Sequence, residues 1–142
     1  MNAKISTPFV PISWGELIDK ITILEIKNLK FHSITAKENI NKELHYLLKI
    51  AQLNLMPNEI TVLKSELNDV NLKLWEVEDN IRDKELLAQF DQVFIELARS
   101  VYRLNDIRAK IKKSINLILR SELVEEKSYK DFQVPNDSGN AN

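Results

Sequence analysis

Apolar residues in the second half of the chain recur in alternating steps of three and four. Ile60, Leu63, Leu67, Val70, Leu74, Val77 and Ile81 form one series; Phe94, Leu97, Val101, Leu104, Arg108, Ile111, Ile115 and Ile118 form another. This period lays one residue per turn along a single helix face, the a/d seam of a coiled coil, whereas a half-buried strand alternates by two. Two long helices packed on each other as a hairpin bury both seams with the shortest connection. Only two glycines (Gly15 and Gly139) and four prolines occur in 142 residues, which leaves little material for tight β-turns and favours helices further. One seam member, Arg108, is charged, and its position calls for a partner.

The first half of the chain supplies two more helices. Pro8 and Pro11 make residues 1–12 an extended arm. Ser13 is a strong N-cap, Glu16 completes a capping box three residues on, and Ile12 with Leu17 can form a hydrophobic staple. The first helix is expected from Trp14 to about Phe31. His32-Ser33-Ile34 then leads to a second capping box, Thr35 with Glu38, and a helix to about Leu55 with Ile40, Leu44, Leu47, Leu48 and Ala51 on one face. Met56-Pro57-Asn58 breaks it, with Asn58 able to cap the third helix. The charged stretch Arg82-Asp83-Lys84-Glu85 leads into Leu86–Asp91, which is expected to be a connection, and the fourth helix is expected from about Asp91 to Leu119. Leu123–Phe132 can pack back on the bundle, and residues 133–142, rich in Asn, Asp, Ser and Gly, are expected to be disordered. The expected architecture is all-α: one domain over 13–132, an antiparallel four-helix up-down bundle with a long hairpin of helices three and four.

Polar groups fall inside the apolar stripes. Projected at about 100° per residue, the first helix turns Glu25 and Asn28 into its apolar sector. Asn105 sits beside Arg108 on the fourth helix, and Glu78 and Asn71 edge the seam of the third near Trp75. An unpaired buried charge costs several kcal/mol, roughly, so each needs a partner. The economical arrangement is a Glu25–Arg108 pair with Asn28, Asn105 or Glu78 taking the remaining hydrogen bonds. Such a centre fixes the register of the helices, as a single polar seam residue does in coiled coils, or lines a ligand-binding pocket. The bland alternative is that Arg108 snorkels to water and Glu25 lies at a bundle edge.

Composition narrows the function classes. With no cysteine, neither disulfides nor thiolate metal sites are available. A formal charge of −1 argues against a dedicated nucleic-acid binder. No apolar run approaches the roughly 20 residues of a membrane span, and Met1–Phe9 lacks the apolar core of a signal peptide, so a cytoplasmic protein is expected. Glu16 with Asp19 and Glu76 with Asp79 form Glu-x-x-Asp pairs of the kind that helical nucleotide pyrophosphohydrolases use for Mg²⁺. Glu16 is already employed at the cap, however, and Asp79 projects away from its seam, so solvated carboxylates are the simpler reading and no cofactor is implied. His32 and His45 lack the Glu-x-x-His spacing of di-iron bundles. The basic run Arg99, Arg103, Lys110, Lys112, Lys113 and Arg120 suits a helix C-terminus and is followed by Glu122, Glu125 and Glu126. The expectation is therefore an interaction or accessory protein with a protein partner that the sequence does not identify, or a homodimer through the seams; an all-helical enzyme is the alternative.

Several blocks carry a resemblance. Ser13-Trp14-Gly15-Glu16-Leu17-Ile18-Asp19-Lys20-Ile21-Thr22-Ile23-Leu24-Glu25-Ile26-Lys27 resembles the first helix of a bacterial and phage family of uncharacterised all-helical cytosolic proteins. Leu74-Trp75-Glu76-Val77-Glu78-Asp79-Asn80-Ile81-Arg82, Phe94-Ile95-Glu96-Leu97-Ala98-Arg99-Ser100-Val101-Tyr102, Asn105-Asp106-Ile107-Arg108-Ala109 and Leu123-Val124-Glu125-Glu126-Lys127-Ser128-Tyr129 are similar to later blocks of the same family. The resemblance implies a helical fold and a bacterial or phage cytoplasmic setting. It carries no assigned activity, so it transfers no catalytic residue. Where that family often ends its last long helix on glycine, this chain has Arg120-Ser121, and a less sharp helix end is expected.

Overall fold

The computed structural model describes residues 3–130. The expected disorder of 133–142, and Phe132 at the end of the returning segment, lie outside the described residues. Among these there are four α-helices and no strand: α1 (Trp14–Lys30), α2 (Ile34–Ala51), α3 (Asn58–Leu86) and α4 (Gln92–Ile118), with a single 3-10 turn at Leu53–Leu55. No helix among them is long and apolar enough to cross a membrane.

The helix starts follow the capping residues, with two shifts from expectation. Ser13 Oγ accepts the Glu16 N–H at 3.1 Å, and Asp91 does the same for Phe94 at 3.0 Å. For α2, however, Ser33 takes the cap by accepting from Ala36, so Thr35 and Glu38 are not the capping box. Two residues earlier, an equally good hydroxyl cap lets Ile34 and Thr35 join the helix. For α3 the cap residue is Pro57, and Asn58 is already helical. The charged stretch Arg82–Glu85 is the solvated last turn of α3, and Lys84 Nζ reaches across the connection to Asp91 at 2.8 Å.

Scarce glycine shows at the helix ends. Gln52, Ala88 and Arg120 all take left-handed φ values, 46°, 51° and 49°. The Gln89 N–H then donates to the Lys84 carbonyl at 2.9 Å, and the Ser121 N–H to that of Asn116 at 2.8 Å. This is the closure that glycine normally provides. Arg120 thus ends α4 as sharply as a glycine would, at the cost of crowding its own Cβ.

The centre of the molecule is α1. Its Leu17 and Ile21 pack with Ala51, Leu44 and Leu47 of α2, while Ile18 packs with Ile60, Leu67 and Val70 of α3 and Ile111 and Ile115 of α4. The first turns of α1 meet α4, where Gly15 approaches Lys112; its last turns meet α3, where Phe31 lies edge-on to Trp75 with ring centroids 6.3 Å apart. The seams of α3 and α4 face each other as their periodicity predicts. Beyond the reach of α1, the far portions of both helices have, among the described residues, each other to pack on.

Gly15 is required at the α1–α4 contact. A Cβ built there falls 2.5 Å from the Lys112 carbonyl oxygen, and that oxygen belongs to helix backbone that cannot turn aside. Replacing Gly15 by Ala is expected to cost about 1–3 kcal/mol by overpacking. Replacing Arg120 by Gly should instead raise stability by about 1 kcal/mol, because the left-handed position then carries no side-chain penalty. Denaturant midpoints of the two variants, moving in opposite directions at constant slope, check both statements.

Candidate functional site

The stripe Gly15, Asp19, Thr22 and Ile26 steps by four, three and four along α1, and all four residues are buried. It forms a second inward face beside the apolar one that meets α2. Gly15 gives α4 room to approach, Thr22 adds a hydroxyl, and Asp19 places a carboxylate in the interior at 0% exposure.

Every donor around Asp19 points at it. Asn71 Nδ2 of α3 donates to Asp19 Oδ1 at 2.9 Å and lies at the same distance from Thr22 Oγ1. Arg108 Nε of α4 lies 3.0 and 3.2 Å from the two carboxylate oxygens, and Arg108 Nη2 donates to Oδ2. Lys112 Nζ stands 3.8 Å from Oδ2. Thr22 Oγ1 in turn donates to the Asp19 carbonyl at 2.7 Å. One carboxylate therefore ties α1 to α3 and α4 at a single level, with a side-on guanidinium pair as its strongest element. The hydrogen bond to Asp19 holds the Arg108 guanidinium above its ordinary pKa, against the opposing effect of burial.

A second layer closes the start of α1. The Gly15 N–H donates to Asn116 Oδ1 at 2.7 Å and the Trp14 N–H to Ser121 Oγ at 3.2 Å, so the free amides of the first turn are met by side chains of α4 and the segment after it. Lys112, nearly buried, bonds Glu16 Oε2 at 2.6 Å and Glu125 Oε2 at 2.8 Å. Burial pushes the Lys112 ammonium down in pKa, but its bonds to Glu125 and Glu16 outweigh this and leave it raised. Glu125 is lowered by its bond to Lys112. Through Glu125 and Ser121 the segment after α4 is tied to the bundle by polar contacts, while among its described apolar residues Leu123 and Val124 are partly covered and Tyr129 is exposed.

The sequence-predicted residues are thus partly reassigned. Arg108 faces inward as expected, but Glu25 is not its partner. Glu25 bonds Lys64 Nζ at 2.7 Å on the α3 side, and both side chains are partly exposed. Asn28 is half-buried and outside the Asp19 network. Asn105 takes a marginal bond from Arg108 Nη1 at 3.5 Å, and Glu78 pairs with Arg82 one turn along. Asp19 is not a solvated carboxylate but the buried centre, while Glu16, partly exposed, holds Lys112. Glu76 and Asp79 stay on exposed faces of α3, each lining a different depression with no approach to the first pair. Among the described residues no group of three or more His, Asp or Glu side chains is placed to hold a metal ion.

Asp19 escaped the sequence reading because its helical projection lies outside the widest apolar sector of α1. The same three-four stepping that reveals the other seams runs through Gly15, Asp19, Thr22 and Ile26, and it marks a helix buried on two sides. A family profile decides the relationship: it matches residues 9–141. The chain belongs to the family of unknown function DUF6165. Neither a curated protein nor a solved structure matches it. For this DUF6165 member the chemistry of the centre is therefore read from the site itself. Asp19 is wholly buried and accepts its hydrogen bonds from Asn71 and Arg108.

Two measurements check the site. Asn71→Ala strands one Asp19 oxygen and the Thr22 hydroxyl of a donor, and should lower stability by about 1–3 kcal/mol in denaturant unfolding. The Glu125 contact, being a carboxylate held below its ordinary 4.5, is present above that pH and lost as pH falls through the lowered value. An NMR titration of Glu125 should give a midpoint below 4.5 that moves back towards it in Lys112→Met.

Proposed function

We propose that this chain is a helical interaction module in which the Asp19 centre is structural and the working surface is the free end of α3 and α4. The observation that carries this is the apolar exposure at that end: Leu86 at 83%, Leu87 at 66%, Phe90 at 59%, Val93 at 55% and Ile95 at 45%. These residues fall within ten positions of the sequence, and clustered apolar exposure of this kind marks a contact surface. We read the helices as an antiparallel bundle whose seams continue, coiled-coil fashion, past the end of α1, and the chain as a cytoplasmic protein of bacterial or phage origin in line with the blocks it shares with such proteins.

The partner that fits is a second copy of the chain. Acidic residues outnumber basic ones on the far half of α3 (Glu76, Glu78, Asp79, Asp83 and Glu85 against Lys73, Arg82 and Lys84), while α4 carries Arg99, Arg103, Lys110 and Lys113 against Glu96 and Asp106. A two-fold axis across overlapping hairpins brings the acidic α3 of one copy to the basic α4 of the other, with the apolar ends between them. Sedimentation equilibrium of the full chain tests this: at micromolar concentrations the mass should rise towards twice 16.5 kDa, and added salt should lower the association. Leu87→Asp with Phe90→Asp should return it to monomer with its helical circular dichroism retained. A monomer at every concentration, or a dimer indifferent to both substitutions, overturns the reading.

A further inference from the structure

We propose that the groove between α1, α3 and α4 binds a small amphipathic carboxylate through the edge of Arg108 that Asp19 leaves unused. The groove has a volume of about 480 Å³. Ile23 and Ile26 of α1 and Leu74 and Trp75 of α3 line it with apolar surface, and Asn105 and Arg108 of α4 give it a polar end. Apolar walls with a few convergent polar groups are the general character of small-molecule sites.

The guanidinium decides the ligand class. A planar fork of five N–H donors can grip oxyanions along two edges. Asp19 occupies the Nε–Nη2 edge from its wholly buried position. The end-on Nη1–Nη2 edge remains, and its contact with Asn105 Oδ1, at 3.5 Å, is at the limit of a hydrogen bond. The Arg108 side chain keeps 27% of its surface exposed. Because the Asp19 pair already fixes Arg108, a ligand meets a preorganised fork and does not have to order a flexible side chain. A carboxylate fills that edge with two parallel bonds, while an apolar tail covers Trp75 and the α1 isoleucines.

Charge at the mouth sets the ligand's valence. Glu78 is paired with Arg82, and Asp79 adds a negative charge to the lining. Asp19 already offsets Arg108, so each further negative charge on a ligand meets repulsion at the mouth, and a singly charged carboxylate gripped by two N–H bonds is disfavoured less than the phosphate dianion.

The test is an NMR titration of the full chain at neutral pH, following the Trp75 indole N–H and the Arg108 Nε–H. The probes are octanoate and 4-phenylbutyrate, their primary amides, and inorganic phosphate. Both carboxylates should give saturable shifts of these two signals, with dissociation constants at least tenfold below those of the amides. Phosphate should leave both signals unmoved. Asn105→Asp sets an internal carboxylate beside the same donors and should weaken the carboxylates at least tenfold. Equal affinity for acids and amides, saturable binding of phosphate, or no saturable shift with any probe overturns the proposal, and the wild-type comparisons decide it even if the variant fails to fold. None of these outcomes depends on whether the chain self-associates.

Discussion

The fold turns on a single buried carboxylate. Asp19 has no exposure, and Arg108, Asn71 and Lys112 surround its carboxylate inside the protein. Taking a carboxylate and a guanidinium out of water is unfavourable in itself, and a buried ion pair often adds little net stability against an apolar replacement. What the pair supplies is position. An apolar α1 could slide or rotate on the seam of α3 and α4; one that carries Asp19 satisfies its charge in only one register. Gly15 sets the same register from the other side, since only there can the backbones of α1 and α4 come so close.

From that register the rest follows. With α1 fixed against both long helices, its other face is free for α2, and it becomes the helix on which both apolar clusters meet. The same docking leaves a groove beside Arg108 and leaves the far ends of α3 and α4 uncovered. The two surfaces offered for function, groove and hairpin end, are thus both consequences of where α1 stops.

Much of this was legible in the sequence. Four helices, their order and most of their ends follow from three-four stepping and from Ser13, Pro57 and Asp91, because local spacing and capping are local physics. The inward-facing Arg108 was legible for the same reason: it occupies a seam position. Its partner was not. Glu25 projects with the apolar residues of α1, yet whether a projected residue meets α3, α4 or water depends on how α1 crosses them, which is a tertiary fact. Asp19 lies on a narrower stripe whose members include a glycine and a threonine, and hydrophobic patterning does not weigh such residues. The shift of the α2 cap to Ser33 has a similar origin, since two hydroxyl residues two positions apart, Ser33 and Thr35, compete for one helix start. The hairpin end and groove exist only once the lengths of α1 and α3 are compared in space.

The central claim is that Asp19, and not Glu25, is the energetic partner of Arg108. A double-mutant cycle in denaturant unfolding measures this directly, with Asp19→Ala, Glu25→Ala and Arg108→Ala alone and in pairs. The account predicts a coupling of about 1–3 kcal/mol between Asp19 and Arg108, the single Arg108→Ala change costing about 3–5 kcal/mol because it strands a buried charge, and additivity between Glu25 and Arg108. Additivity for Asp19 and Arg108, or a coupling of equal size for Glu25 and Arg108, would contradict it.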